Sequence, residues 1–174
     1  MSEDGMDHLL LALQNSHFAY WLAQGAFPPI ITIHSAGMAL LVGLQGMINL
    51  RVLGIGRGGL PIPAMRRFMK VVWVGFWMNL CSGVLLFSIY PDKYVHNTLF
   101  RFKIGFIIAG LVLGAVLNSS LLSVGDEYSA AGTRAPGRAK ALAVLSLACW
   151  VSAIVAGRYL AYSTFADIGA GGAG

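Results

Sequence analysis

Four histidines, His8, His17, His34 and His96, are the residues of this chain best suited to bind a metal or move a proton near neutral pH. His34 stands apart because it lies six residues into the apolar stretch PPIITIHSAGMALLVGLQGMINLR. An ionisable ring in hydrocarbon is costly unless it has a partner or a task. One task is ligation of a haem b iron, with His96 or His17 as the second axial ligand and Arg158, Arg101 and Lys103 holding the propionates. Another is copper: HSAGM sets His34 and Met38 one helical turn apart, and imidazole with a thioether suits copper(I). The plainest reading is a ring that bonds a backbone carbonyl or a tyrosine and fixes helix register.

The elements that must position these residues follow from composition. The chain has 174 residues, 57% of them hydrophobic and 11% charged, with a mean hydropathy of +0.71. This is the balance of an integral membrane protein, not of a soluble domain. Four apolar runs, residues 28–50, 71–90, 104–124 and 141–162, are each long enough to cross a bilayer as a helix. The expected fold is an all-α integral membrane four-helix bundle forming a single domain over residues 1–174. Cys81 and Cys149 fall inside apolar runs and read as small buried hydrophobes.

Ahead of the first span, residues 7–24 carry too many polar groups to cross comfortably and read as an N-terminal interfacial amphipathic helix. At helical spacing Met6, Leu9, Leu10, Leu13, Tyr20 and Trp21 share a face, with His17 in the same stripe. No basic n-region precedes this segment, so it does not read as a cleaved signal. Pro28 and Pro29 suit the first turn of the first span, because a missing N–H costs nothing there. Residues 168–174, rich in glycine and alanine, read as a flexible tail.

Charge distribution sets the orientation. The net charge is +5, and eight of the twelve Lys and Arg fall in residues 51–70 and 125–140. By the positive-inside rule those two connections face the cytoplasm and both termini face outward, periplasmic in a bacterial inner membrane. Every histidine then lies toward the outer end, with His34 roughly 9 Å below the start of its span. Gly37 and Gly43 remove bulk near that ring, leaving room for a close helix or a flat ligand, and Gly110 with Gly114 makes a close-packing or dimer face. Asn79 and Asn118 read as interhelical hydrogen-bonders. GIGRGGLPIP lacks the lysine and strand context of a phosphate loop, no catalytic triad pattern appears, and nothing points to nucleic acid.

The segments IHSAGMALLVG, NLRVLG, FRFKIGFIIAGLVLGAVLN and AGRYLAY resemble those of a family of small bacterial four-span membrane proteins. More distantly the chain resembles copper-resistance D-type and cytochrome b561-type bundles. The resemblance covers residues 28–162 and rests on His34, Asn49, Arg51, Arg101, Lys103, Asn118 and Arg158. It implies a four-helix fold and, through the distant families, haem or copper. The b561-type pattern pairs histidines within spans, whereas here only His34 is intramembrane, so one outer haem is implied and not a membrane-crossing pair. The expectation is a small haem b subunit passing electrons between a periplasmic redox partner and the quinone pool. The alternatives are a non-catalytic accessory subunit and a copper-handling protein, with membrane lipid and a protein partner or second copy as neighbours.

Overall fold

A computed structural model describes residues 3–55, 68–130 and 135–171, with side chains described for 5–55, 68–119 and 135–162. Among the described residues the structure is helical throughout: α1 (Glu3–Gln14), α2 (His17–Leu53), α3 (Met69–Phe87), α4 (Pro91–Val95), α5 (Thr98–Ala130) and α6 (Gly137–Gly171). Four of these, α2, α3, α5 through Ser119 and α6 through Tyr162, are long and apolar enough to cross a membrane. The chain is a multi-pass membrane protein built as a helical bundle. Arg57, Arg66, Arg67 and Arg134, half of the basic residues that orient it, lie outside the described residues.

The N-terminal third departs from expectation. No single helix covers residues 7–24, because the chain breaks at Asn15–Ser16. Ser16 adopts an extended conformation and its hydroxyl accepts the Ala19 N–H at 3.1 Å, the work of an N-cap. Its own hydrogen goes to the Leu13 carbonyl at 2.6 Å, which ties off α1. From His17 the helix runs unbroken into the first span. Pro28 and Pro29 do not open a new helix; the turn ahead of them, Leu22–Ala26, widens into a π-helix. A proline ring collides with the carbonyl four residues back, and a wider turn relieves that collision without ending the helix. His17 is therefore the first residue of the long first helix, and the apolar stripe expected to link it to Met6 and Trp21 is split.

At its other end α2 closes on Gly54, whose φ of 93° lets the Ile55 N–H reach the Leu50 carbonyl at 3.0 Å. Residues 168–171, expected as tail, continue α6, and 172–174 lie outside the described residues.

Helices α2 and α3 pack as one antiparallel pair, α5 and α6 as another, and the pairs join mainly through α2 against α6. The core has three tiers. At one end Ile48, Val52, Leu117, Ala139 and Ala143 meet. Leu41, Val72 and Trp150 fill the middle. At the end carrying α1 and α4, Leu22, Ile30 and Ile89 close the stack. Outward faces carry Trp73, Trp77, Ile108, Val112 and Val151, each more than half exposed, as lipid-facing helices require.

Candidate functional site

The site begins at the crossing of α2 and α3. A Cβ at Gly37 would stand 2.8 Å from the Asn79 amide nitrogen, and one at Gly75 would stand 2.8 Å from that of Leu41. Only glycine lets the two backbones approach this closely, which is how small residues drive packing where lipid removes the hydrophobic incentive. Gly43 plays no such part, having no atom within 4 Å of its would-be Cβ.

This approach brings Asn79 and Ser82, three residues apart on α3, onto His34. Asn79 Nδ2 donates to the His34 carbonyl at 3.0 Å, the interhelical bond expected of an intramembrane asparagine. His34 Nδ1 lies 3.0 Å from Ser82 Oγ. The Ser82 hydroxyl has one hydrogen, and Oγ stands 2.5 Å from the Met78 carbonyl, so that hydrogen is committed there. His34 Nδ1 must then donate, which assigns the tautomer and leaves Nε2 as a lone-pair acceptor in the neutral ring. Gly83 makes room for the ring, since a Cβ there would sit 3.3 Å from His34 Cε1. The register reading of His34 is therefore met on α3, by the Ser82 hydroxyl and the Asn79 backbone.

Beside the ring is a narrow cleft, open at its mouth and with free space of about 20 Å³ inside, room for roughly one water molecule, to which all four long helices contribute. Its polar lining is His34, Asn79, Lys103 and the Trp150 indole; Met38, Val42, Ile107 and Ile154 supply much of the rest. Lys103 extends from α5 across to α6, its Nζ 3.4 Å from where a Cβ at Gly157 would stand. Among the described residues Lys103 has no hydrogen bond or ion pair. The Trp150 indole is 3% exposed and its Nε1 has no hydrogen-bond partner among the described residues. Gly110 admits that ring, and Gly114 faces Gln45, so the paired glycines of α5 are filled from within the chain.

Depth follows from helix rise. Ser82 and Lys103 each lie five residues from the end of their helix nearest α4, about 8 Å at 1.5 Å per residue. The cleft thus sits beneath the aromatic trio Phe87, Tyr94 and Phe100, whose rings stand 5.7–6.2 Å apart. No Asp or Glu of the sequence falls inside any of the four spans. Outside the spans, burial pushes the Tyr94 phenol above its ordinary pKa, with the nearby Tyr90 adding to the shift.

The other expected site residues are elsewhere. His17 is 17 residues from His34 on the same helix, about 25 Å along the axis, so the two rings cannot share one iron. His96 turns to Asp7 and Asp92. Arg101 Nε donates to the Val95 carbonyl at 3.3 Å and ties α5 to α4. Arg158 is exposed and lies 5.0 Å over the ring of Tyr162, whose hydroxyl accepts from it at 3.0 Å. Of the proposed haem set only His34 and Lys103 line the cleft, so neither proposed second axial ligand stands beside His34. The residues present do not fit haem. His34 and Met38 do line one cleft, but the Lys103 ammonium beside them opposes a copper cation.

Ser82 is the contact that the sequence alone did not single out. Its signal was its spacing: Asn79 and Ser82 at i, i+3 put two polar groups on one face of an otherwise apolar helix. No family model, curated protein or solved structure matches this chain.

Proposed function

We propose that the head of a lipid-soluble quinone docks at the open mouth of the cleft, its polar edge toward His34 and Lys103, and that the chain is a small membrane subunit serving electron transfer between a periplasmic redox partner and the quinone pool of a bacterial inner membrane. One observation carries this reading: His34, whose Nε2 is left with a lone pair, and Lys103, an ammonium with no acidic neighbour, line the same apolar cleft. An ammonium in a span without carboxylates calls for an oxygen acceptor. A carboxylate or a phosphodiester would answer Lys103 yet offer His34 Nε2 no hydrogen to accept. A quinone carbonyl answers Lys103, and the quinol hydroxyl answers both, accepting from Lys103 and donating to His34. The chain's residues would thus bind and orient the ring and hold a proton at Nε2.

The basic connections support an orientation with both termini periplasmic and the cleft toward the outer surface. In that orientation a periplasmic partner would reach the bound head. The test is extraction of the detergent-purified protein with organic solvent and assay of the extract for quinone. The reading expects near-stoichiometric quinone in the wild type and a loss in Lys103→Met. A preparation free of quinone that also takes up none on reconstitution would move the chain to the accessory-subunit reading.

A further inference from the structure

At the same end of the bundle as the cleft but outside the spans, three potential metal ligands meet. Asp7 comes from α1, Asp92 from the first turn of α4, and His96 from the residue after α4. One donor atom from each lies within 4.8 Å of the other two. We propose that Asp7, Asp92 and His96 form a binding site for a divalent transition metal of the zinc class, which clamps α1 onto α4.

The geometry of the imidazole carries the argument. His96 Nδ1 stands 3.1 Å from the Asp92 backbone carbonyl, a partner that can only accept, so Nδ1 carries the hydrogen. Nε2, left with a lone pair, stands 3.8 Å from Asp7 Oδ1, whereas Asp92 Oδ1 stands 3.4 Å from Nδ1, so the Asp92 carboxylate has to turn toward Nε2 to complete the site. Histidines bound to metals characteristically donate their second N–H to a carbonyl or carboxylate, and here the carbonyl is in place. In a tetrahedral shell with bonds of about 2.1 Å, ligand atoms stand about 3.4 Å apart, so the Asp7–His96 pair needs to close by a few tenths of an ångström.

Asp7 Oδ1 itself is closed off from solvent and accepts no hydrogen bond among the described residues; it faces His96 Nε2, where a metal ion or a proton on that nitrogen would meet it. The two carboxylates supply two negative charges, which match a divalent ion, and oxygen with imidazole favours zinc over copper(I). Three protein ligands leave one position for water, and His96 and Asp7, 54% and 43% exposed, give that water access. Lys93 is directed to the Tyr90 ring, 5.8 Å from its centroid.

The competing reading is a protonated His96 paired with both carboxylates and no metal. Cobalt(II) titration of tag-free protein in detergent at neutral pH, followed by its visible absorption and by zinc competition, separates the two. The proposal expects one ion per chain, binding weakened at least about tenfold in His96→Gln, Asp7→Asn and Asp92→Asn, and unchanged in His8→Ala and His34→Ala. Zinc should also slow amide exchange across residues 3–14 in the wild type and not in His96→Gln. No uptake, uptake equal in wild type and His96→Gln, or uptake lost in His8→Ala would each overturn it. Circular dichroism of the asparagine variants, which keep the size of the side chain, checks that lost uptake is not lost fold.

Discussion

His34 on α2 and Ser82 on α3 are joined from Nδ1 to Oγ at 3.0 Å, while the Ser82 hydroxyl gives its hydrogen to the Met78 carbonyl. This relay decides which nitrogen of His34 is free. Ser82→Ala removes the acceptor and leaves Nδ1–H without its partner. We expect a loss of about 1–2 kcal/mol in stability. Nitrogen chemical shifts of His34 should report an Nδ1–H, Nε2-free ring in the wild type and a mixture of tautomers in the variant.

The Gly37–Gly75 crossing gives a sharper test of the bundle. Gly75→Ala places a methyl against backbone, 2.8 Å from Leu41 N and 2.9 Å from the Gly37 carbonyl, with no flexible side chain to give way. Overpacking of this kind costs about 1–3 kcal/mol. Gly43→Ala, with nothing within 4 Å, should be neutral or slightly stabilising, since alanine is the better helix former. Thermal unfolding in detergent reads both, and the account requires the two glycines to differ in this direction.

Tyr94 predicts the alkaline limit. Its pKa is raised in the folded protein, first by burial and then by Tyr90. A raised pKa means that the folded state holds the proton more tightly than the unfolded chain. The contribution to stability is whole below the ordinary phenol value of about 10 and is lost as pH climbs through the higher folded value. Wild type should lose stability above that pH more steeply than Tyr94→Phe, as measured by pH-dependent melting with phenolate absorbance followed in parallel.

Asn49 and Ser146 tie α2 to α6 in the opposite half of the bundle. Asn49 Nδ2 donates to Ser146 Oγ at 3.0 Å, and both residues are 0% exposed. Ser146→Ala leaves a buried amide donor unpaired and should cost about 1–3 kcal/mol. Asn49→Leu removes the donor and also Asn49 Oδ1, which has no partner among the described residues, so it should cost less than the serine change. A chemical-denaturation series on the two variants checks that order.

Much of the frame was legible in the sequence, because twenty-residue apolar runs have few other uses. That His34 lies within a span followed from its place in an apolar run, and the interhelical role of Asn79 from its polarity in an apolar helix. What was not legible depended on which faces meet. Arg158 lies inside an apolar run and Lys103 at the edge of one, and nothing along the chain tells their roles apart. Rotation about their helices sends one out to Tyr162 and the other into the cleft. The proline pair misled for a local reason: Pro28 and Pro29 resemble a helix start, and only the widened turn before them shows the helix passing through. Asp7 and Asp92 are 85 residues apart, so their meeting at His96 depends on α1 folding back over α4, which no local pattern encodes.

The most direct test of the central claim is a binding titration with a short-chain quinone and its reduced quinol, carried out on wild type, Lys103→Met and His34→Ala. The account predicts that Lys103→Met weakens both forms by about tenfold or more, as the loss of a charge-assisted hydrogen bond requires. His34→Ala should weaken the quinol markedly more than the quinone, because only the quinol donates to Nε2. Equal affinities across the three proteins, or a fatty acid that binds where neither quinone form does, would contradict it.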